Sequence, residues 1–207
     1  MLKILNVRKT YGHHLVIDLP SLGIKSGLYW LKGANGSGKS TFLKIVSGLI
    51  PFEGDIEIDA VPLRNQPTAY RKLVSYAAAE PVYPDYVSGY DLVQFYNSVR
   101  KADTKLTDQL IDRLGVREFY KNPTGTYSSG MEKKLSLALA FIGQSKFIFL
   151  DEPLVTLDRQ AVPLLLALIT DYKNQGVSFI FTSHQHAETD LLNPVELIMK
   201  DKTVCIP

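Results

Sequence analysis

The chain has 207 residues, 45% of them hydrophobic and 21% charged, a balance that supports a buried core and excludes an intrinsically disordered segment. Its 23 basic and 21 acidic residues are spread along the sequence for a net charge of +2. There is therefore no polycationic stripe, and no nucleic-acid partner is expected. One cysteine, Cys205, rules out an internal disulfide, and no apolar run approaches the ~20 residues of a membrane-spanning helix.

Residues 1–8 alternate like a strand and lack the apolar centre and small-residue cleavage site of a signal peptide, so a cytosolic location is expected. Turn signals follow at Tyr11-Gly12 and Lys25-Ser26-Gly27. The Tyr11 ring either stacks on a base or packs against the protein. Residues 28–31 form an apolar strand, with Trp30 assigned to the core. Gly33-Ala-Asn35-Gly36-Ser37-Gly38-Lys39-Ser40-Thr41 comes next, leading into a helix over 41–49. This is the phosphate-cradling pattern G-x-x-x-x-G-K-[S/T] in its required place between strand and helix. The glycines let backbone N–H groups converge on a polyphosphate, and the helix adds its positive N-terminal end. Lys39 supplies an ammonium for the outer phosphates and Ser40 a hydroxyl for Mg²⁺.

Residues 54–59 alternate with period two, placing Ile56 and Ile58 on one face of a half-exposed strand. After a strand expected at 72–76, residues 91–100, 107–114 and 131–142 carry apolar positions at helical spacing, marking a helical subdomain over about 80–140. The third helix is preceded by Tyr127-Ser128-Ser129-Gly130-Met131. Ser128 or Ser129 can cap it, and the N–H groups beyond form a second anion site. Two such helix starts imply either two phosphates or one nucleotide shared between two copies of the chain.

The buried strand 146–150 ends in Asp151-Glu152-Pro153. In a parallel α/β sheet this edge faces the ligand, so Asp151 is expected to complete a magnesium shell opposite Ser40. Neighbouring strand residues point to opposite sides, and Pro153 suggests that the backbone turns there, freeing Glu152 to orient or deprotonate the attacking water. A helix over 159–174 and a strand over 177–181 follow. That strand ends in Thr182-Ser183-His184, with His184 within reach of a terminal phosphate. His13, His14 and His186 are set aside as structural or exposed, and a closing strand pair turns at Asp201-Lys202.

Taken jointly, these motifs resemble the ATP-binding cassette ATPases, the nucleotide-binding domains of ABC transporters, over essentially the whole chain. Tyr11 is similar to the family's A-loop aromatic, residues 33–41 to Walker A and 127–131 to the signature sequence. Residues 147–152 resemble Walker B with its catalytic glutamate, Leu157-Asp158 the end of the D-loop, and His184 the switch histidine. The resemblance implies a single α/β domain over 1–207. It comprises a P-loop NTPase core with a mostly parallel sheet, an N-terminal antiparallel β region and the inserted helical subdomain. It also implies ATP and Mg²⁺, and pairing with a second such domain head to tail, Ser128 and Gly130 of one copy contacting the nucleotide held by Lys39 of the other. A separate transmembrane permease is expected, with this chain peripheral on the cytoplasmic face of the membrane. Tyr83, Tyr86, Tyr90, Phe95 and Tyr96 either line a groove for that partner or form the helical subdomain's core. The pattern departs from the family at Ala77-Ala78-Ala79-Glu80-Pro81, where a glutamine is usual and Glu80 is the candidate substitute ligand, at Tyr127, Ser129 and Met131 of the signature, and at residues 154–158. Two other readings stay open, a soluble cassette ATPase acting on DNA or ribosomes and a nucleotide-gated assembly module with little hydrolysis.

Overall fold

Two sheets carry the architecture in this computed structural model, which describes residues 1–185 and 189–207. The first contains β1 (Leu2–Tyr11), β2 (His14–Ile24), β4 (Glu53–Ile58) and β5 (Val61–Pro62), antiparallel in the order β2-β1-β4-β5. Its alternation is that of a sheet with one face covered. Leu2 and Ile4 of β1, Ile17 and Leu19 of β2, and Ile56 and Ile58 of β4 are all buried. At the start of β4 only glycine fits, because Gly54 has φ 101° and an added Cβ would collide with the Asn6 carbonyl.

The second sheet has six strands in the order β10-β9-β3-β8-β7-β6, namely β10 (Thr203–Cys205), β9 (Val195–Lys200), β3 (Leu28–Lys32), β8 (Ser178–Phe181), β7 (Phe147–Leu150) and β6 (Val74–Ala77). All neighbours are parallel except the closing β9–β10 hairpin. Every residue of β7 and β8 is buried, as expected of parallel strands covered on both faces. Adjacent residues serve opposite sides. Ile148, Leu150, Phe179 and Phe181 belong to the core under the helices, whereas Phe147, Phe149 and Ile180 face the first sheet and the helix after the phosphate loop.

That helix is α1 (Lys39–Val46), which buries Phe42, Leu43, Ile45 and Val46. Between β6 and β7 lie α3 (Gly89–Arg100), α4 (Thr104–Arg113) and α5 (Ser129–Phe141), started respectively by a Ser88/Asp91 capping box, the Asp103 carboxylate and the Ser128 hydroxyl. Their apolar stripes join one continuous core with β7, β8 and α6 (Ala161–Asn174). The sequence places β6 two residues early. Lys72 closes a short helix, α2 (Pro67–Lys72), whose Pro67 occupies the first helical position and which buries only Tyr70. Among the described residues no helix is long and apolar enough to cross a membrane.

Candidate functional site

Strand register assembles the site. Trp30 and Leu150 both lie opposite Phe181, and Ala77 lies opposite Leu150, so the segments that follow β3, β6, β7 and β8 leave the sheet along one edge, where ligands of such sheets bind. A cleft of ≈ 460 Å³ opens there. The loop residues Asn35, Gly36, Gly38, Lys39, Ser40 and Thr41 form one wall, Glu152 and His184 the other, and His14 and Val16 of β2 close the side.

The loop is built from backbone requirements. Gly36 and Gly38 take φ of 74° and 106°, and a Cβ on Gly33 would lie 2.7 Å from the Met199 carbonyl and 2.8 Å from Ser37 Oγ. Lys39 is only 9% exposed. Its ammonium donates to the carbonyls of Gly33 (2.9 Å) and Ala34 (3.2 Å), bridging the loop from inside. Among the described residues Ser37 Oγ is buried without a partner, an arrangement that costs free energy unless a ligand supplies one.

At the acid corner the expected turn is present, for Glu152 has φ 46°. The turn separates the two carboxylates. Asp151 points inward at 2% exposure. Its Oδ1 accepts from Thr182 Oγ1 at 2.9 Å and its Oδ2 from the Tyr76 hydroxyl at 3.2 Å. Burial, with the Asp151 charge beside it, pushes the Tyr76 phenol well above its ordinary pKa, so it remains a donor. Glu152 instead faces the cleft, with Oε1 3.4 Å from His184 Nε2. The peptide between the acids is held at both ends, the Glu152 N–H donating to Thr182 Oγ1 at 2.8 Å and the Asp151 carbonyl accepting from Lys133 Nζ at 3.0 Å. Lys133 also donates to the carbonyls of Ala78 (2.8 Å) and Ala79 (3.0 Å). Burial lowers its pKa to about 8 against the opposing pull of Asp151, Glu152 and Glu80.

The remaining sequence-chosen residues are distributed less simply. Tyr11 ends β1 rather than lying in a turn, is half exposed beneath the Lys9 ammonium, and pairs in register with His14. His14, set aside on sequence grounds, is the one of the two that lines the cleft. Trp30 is buried as expected, and its indole donates to the Ser183 carbonyl at 3.2 Å, fixing the approach to His184. Ser128 caps α5 through the Met131 N–H, and a Cβ on Gly130 would lie 3.0 Å from the Thr156 carbonyl. Neither lines the cleft around Lys39, and nor does Glu80, which is exposed. His186 lies outside the described residues.

Besides His14, the site residues that sequence reasoning missed are Thr182, Tyr76 and Lys133. Of these three none leaves a sequence signal; only in the folded helix does Lys133 share the buried 133/137/140 stripe of α5 with Leu137 and Ala140. Among the described residues no three His, Cys, Asp or Glu side chains cluster as a metal site. The available donors, the Ser40 hydroxyl and the Asp151 carboxylate, are hard oxygens that suit a divalent cation completing its shell with phosphate. Each Asp151 oxygen keeps a second lone pair for that purpose.

Residues 20–155 match the family model described as ABC transporter. The chain is 30% identical over 194 residues to the lantibiotic transport ATP-binding protein SrtF of Streptococcus pyogenes, covering 93% of this chain and 83% of that protein. It is 26% identical over 170 residues to the cytochrome c biogenesis ATP-binding export protein CcmA of Haemophilus influenzae, covering 81% and 80% respectively. Among solved structures, the ATP binding subunit of an ABC transporter superposes with a TM-score of 0.88 at 21% identity, covering 99% of this chain and 88% of that one. The dimeric post-hydrolysis state of the ATP-binding cassette MJ0796 bound to ADP and Pi superposes with a TM-score of 0.81 at 20% identity, covering 99% and 96%.

Proposed function

The chain belongs to the ABC transporter family of ATP-binding proteins, and on that premise we propose that it binds ATP over residues 33–41 and hydrolyses it to power a separate membrane-spanning partner. The observation that carries this reading is the single cleft in which Lys39 and Ser40 face Glu152 and His184.

On nucleotide binding, Lys39 exchanges the Gly33 and Ala34 carbonyls for phosphate oxygens, and the N-terminus of α1 adds its dipole. Ser40 and Asp151 would hold Mg²⁺, which supplies charge neutralisation on the phosphates. Glu152, aimed into the cleft by its left-handed backbone, takes the proton of the water that attacks the terminal phosphorus. That is a contribution of roughly 10² to 10⁴ in rate for a positioned base. His184, beside the Glu152 carboxylate, is placed to steady that water or the phosphate.

Ser128 and Gly130 stand at the exposed start of α5, away from their own cleft, and in this reading reach the nucleotide of a second copy packed head to tail. ATP then favours the closed pair and its products favour it less, the differential binding that motion requires. The membrane partner docks on the groove of ≈ 400 Å³ where Phe95, Tyr96 and Val99 of α3 meet Thr68, Arg71 and Lys72 of α2. Phe95 and Val99 are 61% and 54% exposed there, and the chain lies on the cytoplasmic face of the membrane. Tyr83 packs against the core without lining that groove, and Tyr96 does both. The testing variant is Glu152→Gln, for which ATP binding persists, turnover slows and light scattering with Mg-ATP shows a trapped dimer. Parent turnover would remove Glu152 from the chemistry, and a monomer mass with and without nucleotide would overturn the shared site.

A further inference from the structure

We infer that Lys133, together with Thr182, is a positioning residue for Glu152, so that α5 sets the aim of the base. The inference rests on the assignment of Glu152 as that base. Glu152 adopts φ 46°, a left-handed conformation that costs a residue other than glycine roughly 1–2 kcal/mol and persists only where the surroundings impose it. What imposes it here is visible. The peptide joining Asp151 to Glu152 has its carbonyl on the Lys133 ammonium and its N–H on the Thr182 hydroxyl. Turning that peptide plane breaks both bonds at once.

The use made of Lys133 singles it out. Its side chain is completely buried, and its three N–H donors are matched by three main-chain carbonyls, those of Ala78, Ala79 and Asp151. A buried ammonium is expensive, and an apolar side chain would fill the stripe shared with Leu137 and Ala140 at lower cost. The charge therefore marks a joint among three segments, namely α5, the exit from β6 and the acid corner. Because Ser128 caps α5 and Gly130 lies in its first turn, one side chain links the proposed contact with a second copy's nucleotide to the orientation of Glu152 in its own cleft.

The test is steady-state hydrolysis of Mg-ATP by Lys133→Met, Lys133→Gln, Thr182→Val and Glu152→Gln, with nucleotide affinity and urea unfolding measured on each. Lys133→Met and Thr182→Val should each lower kcat about 10- to 100-fold, the scale of an ångström-sized misplacement of a catalytic group. KM and ATP affinity should stay within about twofold, the signature of a loss confined to the chemical step. Lys133→Gln, whose amide retains two donors, should recover part of the rate. Lys133→Met added to Glu152→Gln should slow it no further. A folded Lys133→Met protein at parent kcat, with Glu152→Gln slow, would overturn the inference and leave the base assignment standing. Parent turnover in Glu152→Gln would overturn both. Should Lys133→Met fail to fold, Thr182→Val decides the matter from the other side of the same peptide, and parent kcat there is the overturning result.

Discussion

Replacing Lys39 with Ala should weaken ATP binding about 10- to 100-fold while leaving the fold nearly intact. In the structure two of the ammonium's three donors rest on the neutral carbonyls of Gly33 and Ala34, bonds that water can replace with little net loss. Phosphate oxygens replace them with charge-assisted bonds of about 1.5–3 kcal/mol each. Exchanging carbonyl dipoles for the full negative charge of phosphate therefore gains about 1–3 kcal/mol, and at 1.4 kcal/mol per tenfold this sets the stated range. The resting bonds lost in the variant matter little to stability. Ala34 is exposed and Gly33 half-buried, so water can take up both carbonyls at a cost below about 1 kcal/mol. Isothermal titration with a non-cleavable ATP analogue and Mg²⁺ gives the affinity, and urea unfolding gives the stability. A dissociation constant within about threefold of the parent in a folded variant would refute the role assigned to the loop, since a loss that small lies below the weakest charge-assisted bond invoked.

Gly54→Ala should destabilise the fold by about 2–4 kcal/mol, combining a left-handed backbone with a Cβ driven into the Asn6 carbonyl; a urea-derived change below about 1 kcal/mol would contradict that geometry. Asp158 accepts from the N–H groups of Gln160 (3.0 Å) and Ala161 (2.8 Å) at the start of α6 and pairs with Lys134 at 2.6 Å. Asp158→Ala should therefore cost about 1 kcal/mol at neutral pH. Lys134 and those N–H groups hold the Asp158 carboxyl below its usual range, so its contribution is present above the unfolded-state pKa and disappears as pH falls through the lower folded one. Equal losses in neutral and strongly acidic denaturation would count against it. EDTA should stop hydrolysis without lowering the melting temperature, because Thr182 and Tyr76 already satisfy Asp151; a chelator-induced drop would mean the cation is structural.

The groups proposed to touch nucleotide are legible in the sequence because each motif is contiguous. Residues 33–41 carry their glycines and lysine in one loop, and Asp151-Glu152-Pro153 announces both the charge and the turn that separates the acids. The short helix α2 escapes detection because its six residues bury a single side chain, Tyr70, too little for a period to register. The residues that orient the acids are hidden for another reason. Tyr76 lies 75 residues from Asp151, Lys133 lies 18 from it, and Thr182 lies 30 from Glu152, so their pairings exist only once β6, α5 and β8 have packed beside β7. Glu132, Lys133 and Lys134 look along the chain like a solvated run of charge, yet only the middle one is buried. Its donors serve main-chain carbonyls that carry no side-chain identity, so no residue pattern at 78, 79 or 151 could name Lys133 as their partner. A reading confined to side-chain motifs will thus find the reacting groups of such a site and miss the bonds that aim them.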